Sequence, residues 1–352
     1  MNKKTRIVGF DLARALAVFG MVLVNFKVVM NTKGTGSAWL EWLMGLLDGR
    51  AAATFVLLAG VGLSLLSAKG RENNDQIRTR QDRNTLLKRA IFLLLVGLAY
   101  IPIWPADILH FYGVYIAVAA FLLTASDKRL LTIAAALPLT FLLLISLFNY
   151  ETGWNWATLE YVDFWTAQGM LRHVFFNGFH PVIPWLAFML LGMWLGRQDL
   201  HNANFRTKLL AISFFTAAIA ESFSALLTKS FPEEIGVLFD ASPMPPMPIY
   251  IVAGAATALV IILLCLEITF RYPDAKWISP LVHTGQLALT LYVAHVVLGM
   301  GVLEILGRLE NQNLSFAATT GIIFSLLSIL FSHLWRKRYQ RGPLEWVMRK
   351  LT

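Results

Sequence analysis

Charged residues are scarce in this chain. Asp, Glu, Lys and Arg make up 14% of its 352 residues, against about 25% in an ordinary soluble domain, and this excludes a soluble enzyme. Cysteine is almost missing. The single Cys265 sits inside an apolar run, which excludes an intrachain disulfide and a zinc site of the CxxC type. The alternating segments of about ten residues that build a membrane β-barrel are also lacking; stretches such as 249–266 are apolar on every face. A phosphate-cradling glycine loop, an HExxH pair, a nucleophile elbow and a metal cluster are all absent, so no metal is expected. The first apolar segment has no small-residue cleavage site behind a short hydrophobic region, so it is expected to remain as a helix.

What is present is hydrophobicity, 57% of residues, gathered into runs of bilayer-spanning length. Ten candidates follow: 7–30, 51–68, 90–104, 108–124, 130–148, 182–196, 209–227, 249–270, 285–306 and 316–334. Backbone groups in lipid must be satisfied within a segment, so the fold class read here is all-α, a polytopic bundle of about ten transmembrane helices forming a single integral-membrane domain over 1–352. Orientation follows from Lys and Arg, which are retained on the cytoplasmic side. With the N-terminus inside, the inner segments hold clusters such as Lys3, Lys4 and Arg6, the run from Lys69 to Arg89, and Arg336, Lys337 and Arg338. The outer ones hold only Lys33, Arg50, Arg172, Lys229 and Arg308. Both termini are therefore expected in the cytoplasm, and the net charge of +9 needs no nucleic-acid partner. Segment 154–176 reads as an aromatic helix or loop in the headgroup region. The proline-rich 230–247 reads as an extended outer loop, and 69–89 as a solvated helical connection.

Polar residues inside such a bundle are costly and mark pathways or partners. Asp11 and Arg14 share one helix face; either Arg14 snorkels beside a dipole-favoured carboxylate, or it receives an anionic ligand from the cytoplasm. Asn25 and Lys27 lie near the outer end of that helix, and Asp48 with Arg50 opens the second. Asp107 and His110, spaced i, i+3, suit a carboxylate that orients an imidazole base; the alternative is an N-cap beside an interfacial histidine. His180 leads into the sixth helix, whose two prolines are expected at its start without breaking it. Gly192 and Gly196, like Ala59-Gly60-Val61-Gly62, read as helix contacts. His295, one turn from Tyr292, lies well inside the ninth run and is either functional or a structural hydrogen-bonding group. Glu221 and Glu304 read as buried carboxylates with no assignable partner.

Arg6-Ile7, Phe10-Asp11, Arg14-Ala15-Leu16-Ala17, Gly20 and Val24-Asn25 resemble the opening of the YeiB-like family of uncharacterised bacterial membrane proteins. Asp107-Ile108-Leu109 and a tail of Leu289-Thr290, Tyr292, Gly342-Pro343-Leu344-Glu345-Trp346 and Arg349 resemble it too. Segments 54–60 and 184–192 are similar to bacterial relatives of heparan-alpha-glucosaminide N-acetyltransferase. The resemblance implies a multi-pass protein of the bacterial inner (cytoplasmic) membrane. It would move an acyl group, acetyl in the first instance, from cytoplasmic acyl-CoA (acetyl-CoA) as donor to a saccharide or lipid-linked saccharide on the outer face. The expected partners are membrane lipid and that glycan or lipid-linked acceptor, with homo-oligomerisation left open. The catalytic candidates are His110, Asp107 and His295. Arg14, Asp11 and Asn25 are candidates for the donor, and Arg50, Tyr112, His180, Trp185 and Tyr292 for the acceptor. One departure stands out: the acetyltransferase places its proposed catalytic histidine between its counterparts of the first two helices, and no histidine lies between Asn25 and Arg50 here. His110 or His295 then has to substitute. The alternative reading is a transporter or lipid-handling protein in which Asp11, Arg14 and His295 line a path; inverted repeats would mark it, and none is visible.

Overall fold

The computed structural model describes residues 6–352, so Lys3 and Lys4 of the charge pattern lie outside the described residues. The chain is helical almost throughout. It opens with α1 (Gly9–Val29), the short α2 (Ala38–Gly45), α3 (Arg50–Leu66), α4 (Ala68–Glu72) and the long α5 (Gln76–Tyr100). After α6 (Leu109–Ala120) and α7 (Asp127–Leu147) comes a two-stranded hairpin, β1 (Trp154–Asn155) and β2 (Glu160–Tyr161). Next are α8 (Ala167–Arg172), α9 (Val182–Leu195), α10 (Ala203–Ser230), α11 (Glu233–Gly236) and α12 (Pro248–Arg271). The last elements are α13 (Ile278–Gln286), α14 (Ala288–Ala294), α15 (Gly301–Ile305), α16 (Leu314–Arg338) and α17 (Pro343–Leu351).

Helix starts follow local chemistry. The side chains of Asp75, Ser126, Asn202 and Asn313 accept from the backbone N–H three residues on, at 2.9, 3.2, 3.1 and 2.8 Å, and so cap α5, α7, α10 and α16. Among the described residues seven helices are long and apolar enough to cross a membrane, and an eighth span results if Ala167–Asn177 and Val182–Leu195, bent by 51°, count as one. All ten apolar runs contain helix. Run 90–104 is the apolar half of α5, whose first turns carry Arg78, Arg80, Asp82 and Arg83, and run 108–124 holds the 12-residue α6.

Two compact units divide the chain, with their boundaries inside α3 and α12. In the first (Met1–Phe55 and Thr257–Lys350), α1 packs on α13 and α16. In the second (Val56–Ala256 with Leu351–Thr352), α5 packs on α6, and α7 and α6 on α9. Within the second unit α3 and α9 touch backbone to backbone: a Cβ at Gly60 would fall on the Met189 carbonyl oxygen, and one at Gly192 on that of Leu57. In α7 and α10 only 17% of the apolar window is buried in the protein, against 61% in α12, so those two helices turn most of their surface outward.

Several expectations are corrected. Gly62 meets nothing within 4 Å of a built Cβ and is no packing residue. Glu221 and Glu304 are exposed, because each falls on the outward face of its helix. The aromatic segment 154–176 begins as a hairpin, and 230–247 contains α11 and a 3₁₀ turn at Val237–Phe239. The start of α9 is interrupted: Ile183 has non-helical angles, φ −100° and ψ 104°, as a residue before proline prefers. The ninth run is a continuous helix over Ala288–Ile305, long and apolar enough to cross a membrane, but it starts only after a break at Leu287 and loosens into a π-helical turn at His295–Met300.

Candidate active site

In the second unit, α6 begins against Gly97 of α5. A Cβ at Gly97 would fall on the His110 backbone nitrogen and within 2.7 Å of Asp107 Oδ2, so the glycine is what lets this turn approach. Asp107 Oδ2 accepts from the His110 N–H at 3.0 Å and from the ring Nδ1 at 3.0 Å. Capping and ring orientation, weighed above as alternatives, are thus done by one oxygen. Both side chains are fully buried in the protein. A carboxylate only accepts, so Nδ1 is the donor in this contact, which leaves Nε2 as the position for the lone pair of an imidazole base. That nitrogen is buried and has no hydrogen-bond partner among the described residues.

Two further histidines surround it. His173, which the sequence pattern alone did not single out, stacks on His110 with centroids 5.6 Å apart, and His180 packs edge-on against Phe111 at 5.8 Å. Nδ1 of each is buried without a hydrogen-bond partner among the described residues. Their ring-on-ring arrangement does not converge on a point, and among the described residues no group of three His, Cys, Asp or Glu is placed to hold a metal ion. Trp185 packs on His180 at 4.6 Å, Tyr115 donates to the His180 carbonyl at 2.5 Å, and Tyr112 lies 5.9 Å from Tyr115. Asp107, His110, Tyr112, His180 and Trp185 therefore come together as one site.

The hairpin segment closes over this site. Phe164 stands edge-on to His110 at 6.0 Å and to His173 at 5.0 Å. The hairpin is locked by Asn177, whose Nδ2 donates to the carbonyls of Tyr150 and Thr152 at 2.7 and 2.8 Å and whose Oδ1 accepts from Tyr161 at 2.7 Å. Arg172 donates to Tyr161 Oη at 2.7 Å and to both Asp163 oxygens at 2.6 and 2.7 Å. Burial raises the Tyr161 phenol, with Arg172 working against it, so it serves as a neutral donor. His173 and Asn177 stand four apart in the π-helical turn His173–Asn177; their only sequence signal was two polar residues in an otherwise apolar aromatic stretch.

The first unit holds the other candidates. Asp11 is the hub of one group: Arg6 donates to it through Nε at 2.8 Å and Nη2 at 3.0 Å, Arg14 through Nη1 at 2.9 Å, and Gln286 through Nε2 at 3.3 Å. The expected Asp11–Arg14 pair is present, and Arg6 and Gln286 join it. Lys27 pairs with Asp48 at 2.5 Å, and Arg50 is buried at the head of α3. His295 Nδ1 bonds the Tyr292 carbonyl, which fixes its proton there, and Nε2 accepts from Asn25 Nδ2 at 2.9 Å. The Tyr292 ring packs on His295 at 5.1 Å. Both ring nitrogens of His295 are engaged, unlike those of His110.

Residues 6–217, well over half of the chain, match the family profile of the heparan-alpha-glucosaminide N-acetyltransferase catalytic domain. The chain belongs to that family. Residues 194–352 also match a protein family of unknown function (DUF418), the grouping of the YeiB-like proteins. Two bacterial relatives align along nearly the whole length. An uncharacterised 39.9 kDa protein from the amylase 3′ region of Bacillus acidopullulyticus is 22% identical, over 99% of this chain and 94% of its own. The uncharacterised protein YxaH of Bacillus subtilis strain 168 is 20% identical over the same shares. The acetyltransferase match contains Asp11, Arg14, Asp107, His110 and His180, and His295 falls outside it. The protein is thus a multi-pass, transmembrane acyltransferase-like chain.

Proposed function

We propose that this protein transfers an acyl group, most simply acetyl, from cytoplasmic acyl-CoA to a saccharide or lipid-linked saccharide at the outer face of the bacterial inner membrane. Ten helices cross that membrane in this reading, with both termini in the cytoplasm. The observation that carries it is the buried Asp107–His110 pair with its open Nε2, inside the segment that matches the acetyltransferase catalytic family. Arg14 and Asp11, with Asn25 further along α1, are assigned to the donor. Tyr112, His180 and Trp185 are assigned to the acceptor.

In the reaction, His110 Nε2 takes the proton of the acceptor hydroxyl or amine as its oxygen or nitrogen attacks the thioester carbonyl carbon. The C–S bond then breaks, and the proton passes from His110 to the departing CoA thiolate. Asp107 keeps the ring in the tautomer that starts the cycle and stabilises the imidazolium between the two transfers. Because His110 is enclosed, acceptor entry requires the cover of Phe111, Phe164 and His173 to move.

The test is transfer of labelled acetyl from acetyl-CoA in membrane vesicles. His110→Ala is expected to lower it by about 10² to 10⁴, leaving expression and CoA binding unchanged, while His295→Ala leaves transfer detectable. Transfer that survives loss of His110 and not of His295 would move the base to the first unit. Transfer unaffected by either would leave the acyltransferase reading without its base.

A further inference from the structure

We propose that a basic pocket in the second unit, between α4, the first two turns of α5 and the end of α6, is a binding site for a phosphate-bearing anion. The cavity holds about 910 Å³, within the range of small-ligand sites. Arg71, Arg80 and Arg83 line it with the amides of Asn74 and Gln76 and the hydroxyl of Thr79, and none of its lining residues is acidic. Spacing accounts for the assembly. Gln76, Thr79, Arg80 and Arg83 stand at i, i+3, i+4 and i+7, one face of α5. The chain reverses through Asn74 at φ +51°, and Gly70, where a Cβ would lie 2.8 Å from Thr79 Oγ1, lets α4 fold back onto that face.

The arginines are positioned by neutral groups. Arg71 Nη1 donates to the Ser64 carbonyl at 3.3 Å and to Ser64 Oγ at 3.5 Å. Arg83 Nε donates to the Ala120 carbonyl at 3.1 Å, with its guanidinium 5.4 Å from the Phe121 ring. Arg80 is exposed, and none of the three forms an ion pair among the described residues. The neighbouring carboxylates are engaged or face elsewhere: Asp75 caps α5 and Asp82 pairs with Arg78 at 3.3 Å. Burial and the Arg197 charge lower Arg71, against the opposing pull of Glu72 and Asp127. Three forked cations in a lining that holds no acid are what a phosphate recruits, since each offers paired N–H donors.

In the orientation proposed above, on which this point alone rests, the pocket opens to the cytoplasm. There the ligand chemistry has two sources: the phosphate groups of a CoA-type nucleotide and the headgroups of anionic phospholipids. The test uses the full-length protein. Adenosine 3′,5′-bisphosphate, which has CoA-like phosphates and no thioester, is titrated against the wild type, a variant carrying Arg80→Gln and Arg83→Gln, and one carrying Arg80→Lys and Arg83→Lys. In parallel, native mass spectrometry counts phosphatidylglycerol retained by each. Without the two guanidinium charges, the Gln variant is expected to bind at least ~10-fold more weakly, and the Lys variant to recover part of that affinity. A drop in bisphosphate affinity identifies the nucleotide source; a drop in phosphatidylglycerol retention alone identifies the lipid. If a folded Gln variant matches the wild type in both, the site is overturned even where acetyl transfer persists. Failure of acetyl transfer, conversely, leaves these binding readouts untouched.

Discussion

Glu345 gives the sharpest stability test because one carboxylate holds the first turn of a broken helix. After the break at Leu287, the exposed N–H groups that begin α14 find their acceptor in α17. Glu345 Oε1 accepts from Leu289 and Thr290 N–H at 2.8 and 3.1 Å, and Oε2 accepts from Thr290 Oγ1 at 2.5 Å. Glu345→Ala removes a helix cap made by a distant residue, worth ~0.5–2 kcal/mol in the usual case, and strands buried donors at ~1–3 kcal/mol. A loss of ~2–4 kcal/mol follows from these together. At about 2 °C per kcal/mol, the value for larger domains, Tm in mild detergent is expected to fall by at least ~4 °C. Glu345→Gln keeps the accepting oxygen for both amides and should lie much closer to wild type.

The pH dependence has a definite sign. Burial raises the Glu345 carboxyl above its ordinary 4.5, with the Thr290 and Leu289 bonds working against it. The folded state then binds the proton more tightly than the unfolded one. This contribution to stability is present at low pH and is lost as pH rises from 4.5 through the raised value. Glu345→Gln should flatten that slope. If Glu345→Ala melts within one degree or so of wild type, the carboxylate is not the clamp on α14; if Gln is as damaging as Ala, its charge matters and not its accepting oxygen.

Gly192→Ala should cost ~1–3 kcal/mol by overpacking against the Leu57 carbonyl, whereas Gly62→Ala, exposed on the same helix pair, should be neutral or stabilise by up to ~1 kcal/mol; comparative melting of the two decides. Asn25→Leu should free His295 Nε2 and move the imidazole ring resonances; with Asn25 assigned to the donor it should raise the KM for acetyl-CoA while kcat stays near wild type if His110 is the base. Cysteines introduced at 75 and 237 test orientation, since Cys265 is buried: an impermeant reagent should label 237 and spare 75 in intact cells, and the reverse would invert the topology.

Helical class and the ten apolar runs were legible because lipid leaves a spanning backbone few options. The breaks inside them were not. The break at Leu287 has only Gly285 nearby, which serves a close contact with the Asp11 carbonyl, and its repair by Glu345 lies more than fifty residues away, beyond any periodic signal. Asp107 and His110 were legible because their contact is local, i to i+3. His173 was not, because its stacking on His110 joins two distant segments and its neighbours look like plain core. Burial of Glu221 and Glu304 was misread for a related reason: in a membrane bundle both faces of a helix are apolar, so hydropathy alone does not tell inward from outward. The Asp11 hub was half visible, since Arg14 is one turn away and Gln286 arrives from α13.

α10 is the longest helix described, at 28 residues, and among the most outward-facing. At 1.5 Å per residue it measures about 42 Å, roughly a dozen ångströms more than a hydrocarbon core of about 30 Å. Excess length of that kind is accommodated by tilting or by carrying the ends out among the headgroups. The apolar windows place Arg206 and Lys229 near those ends. Because the apolar run 209–227 accounts for only about 28 Å of that length, the excess lies in the polar end turns, and the turn after residue 227 spaces the proline-rich segment beyond Ser230 from the apolar part of the rod.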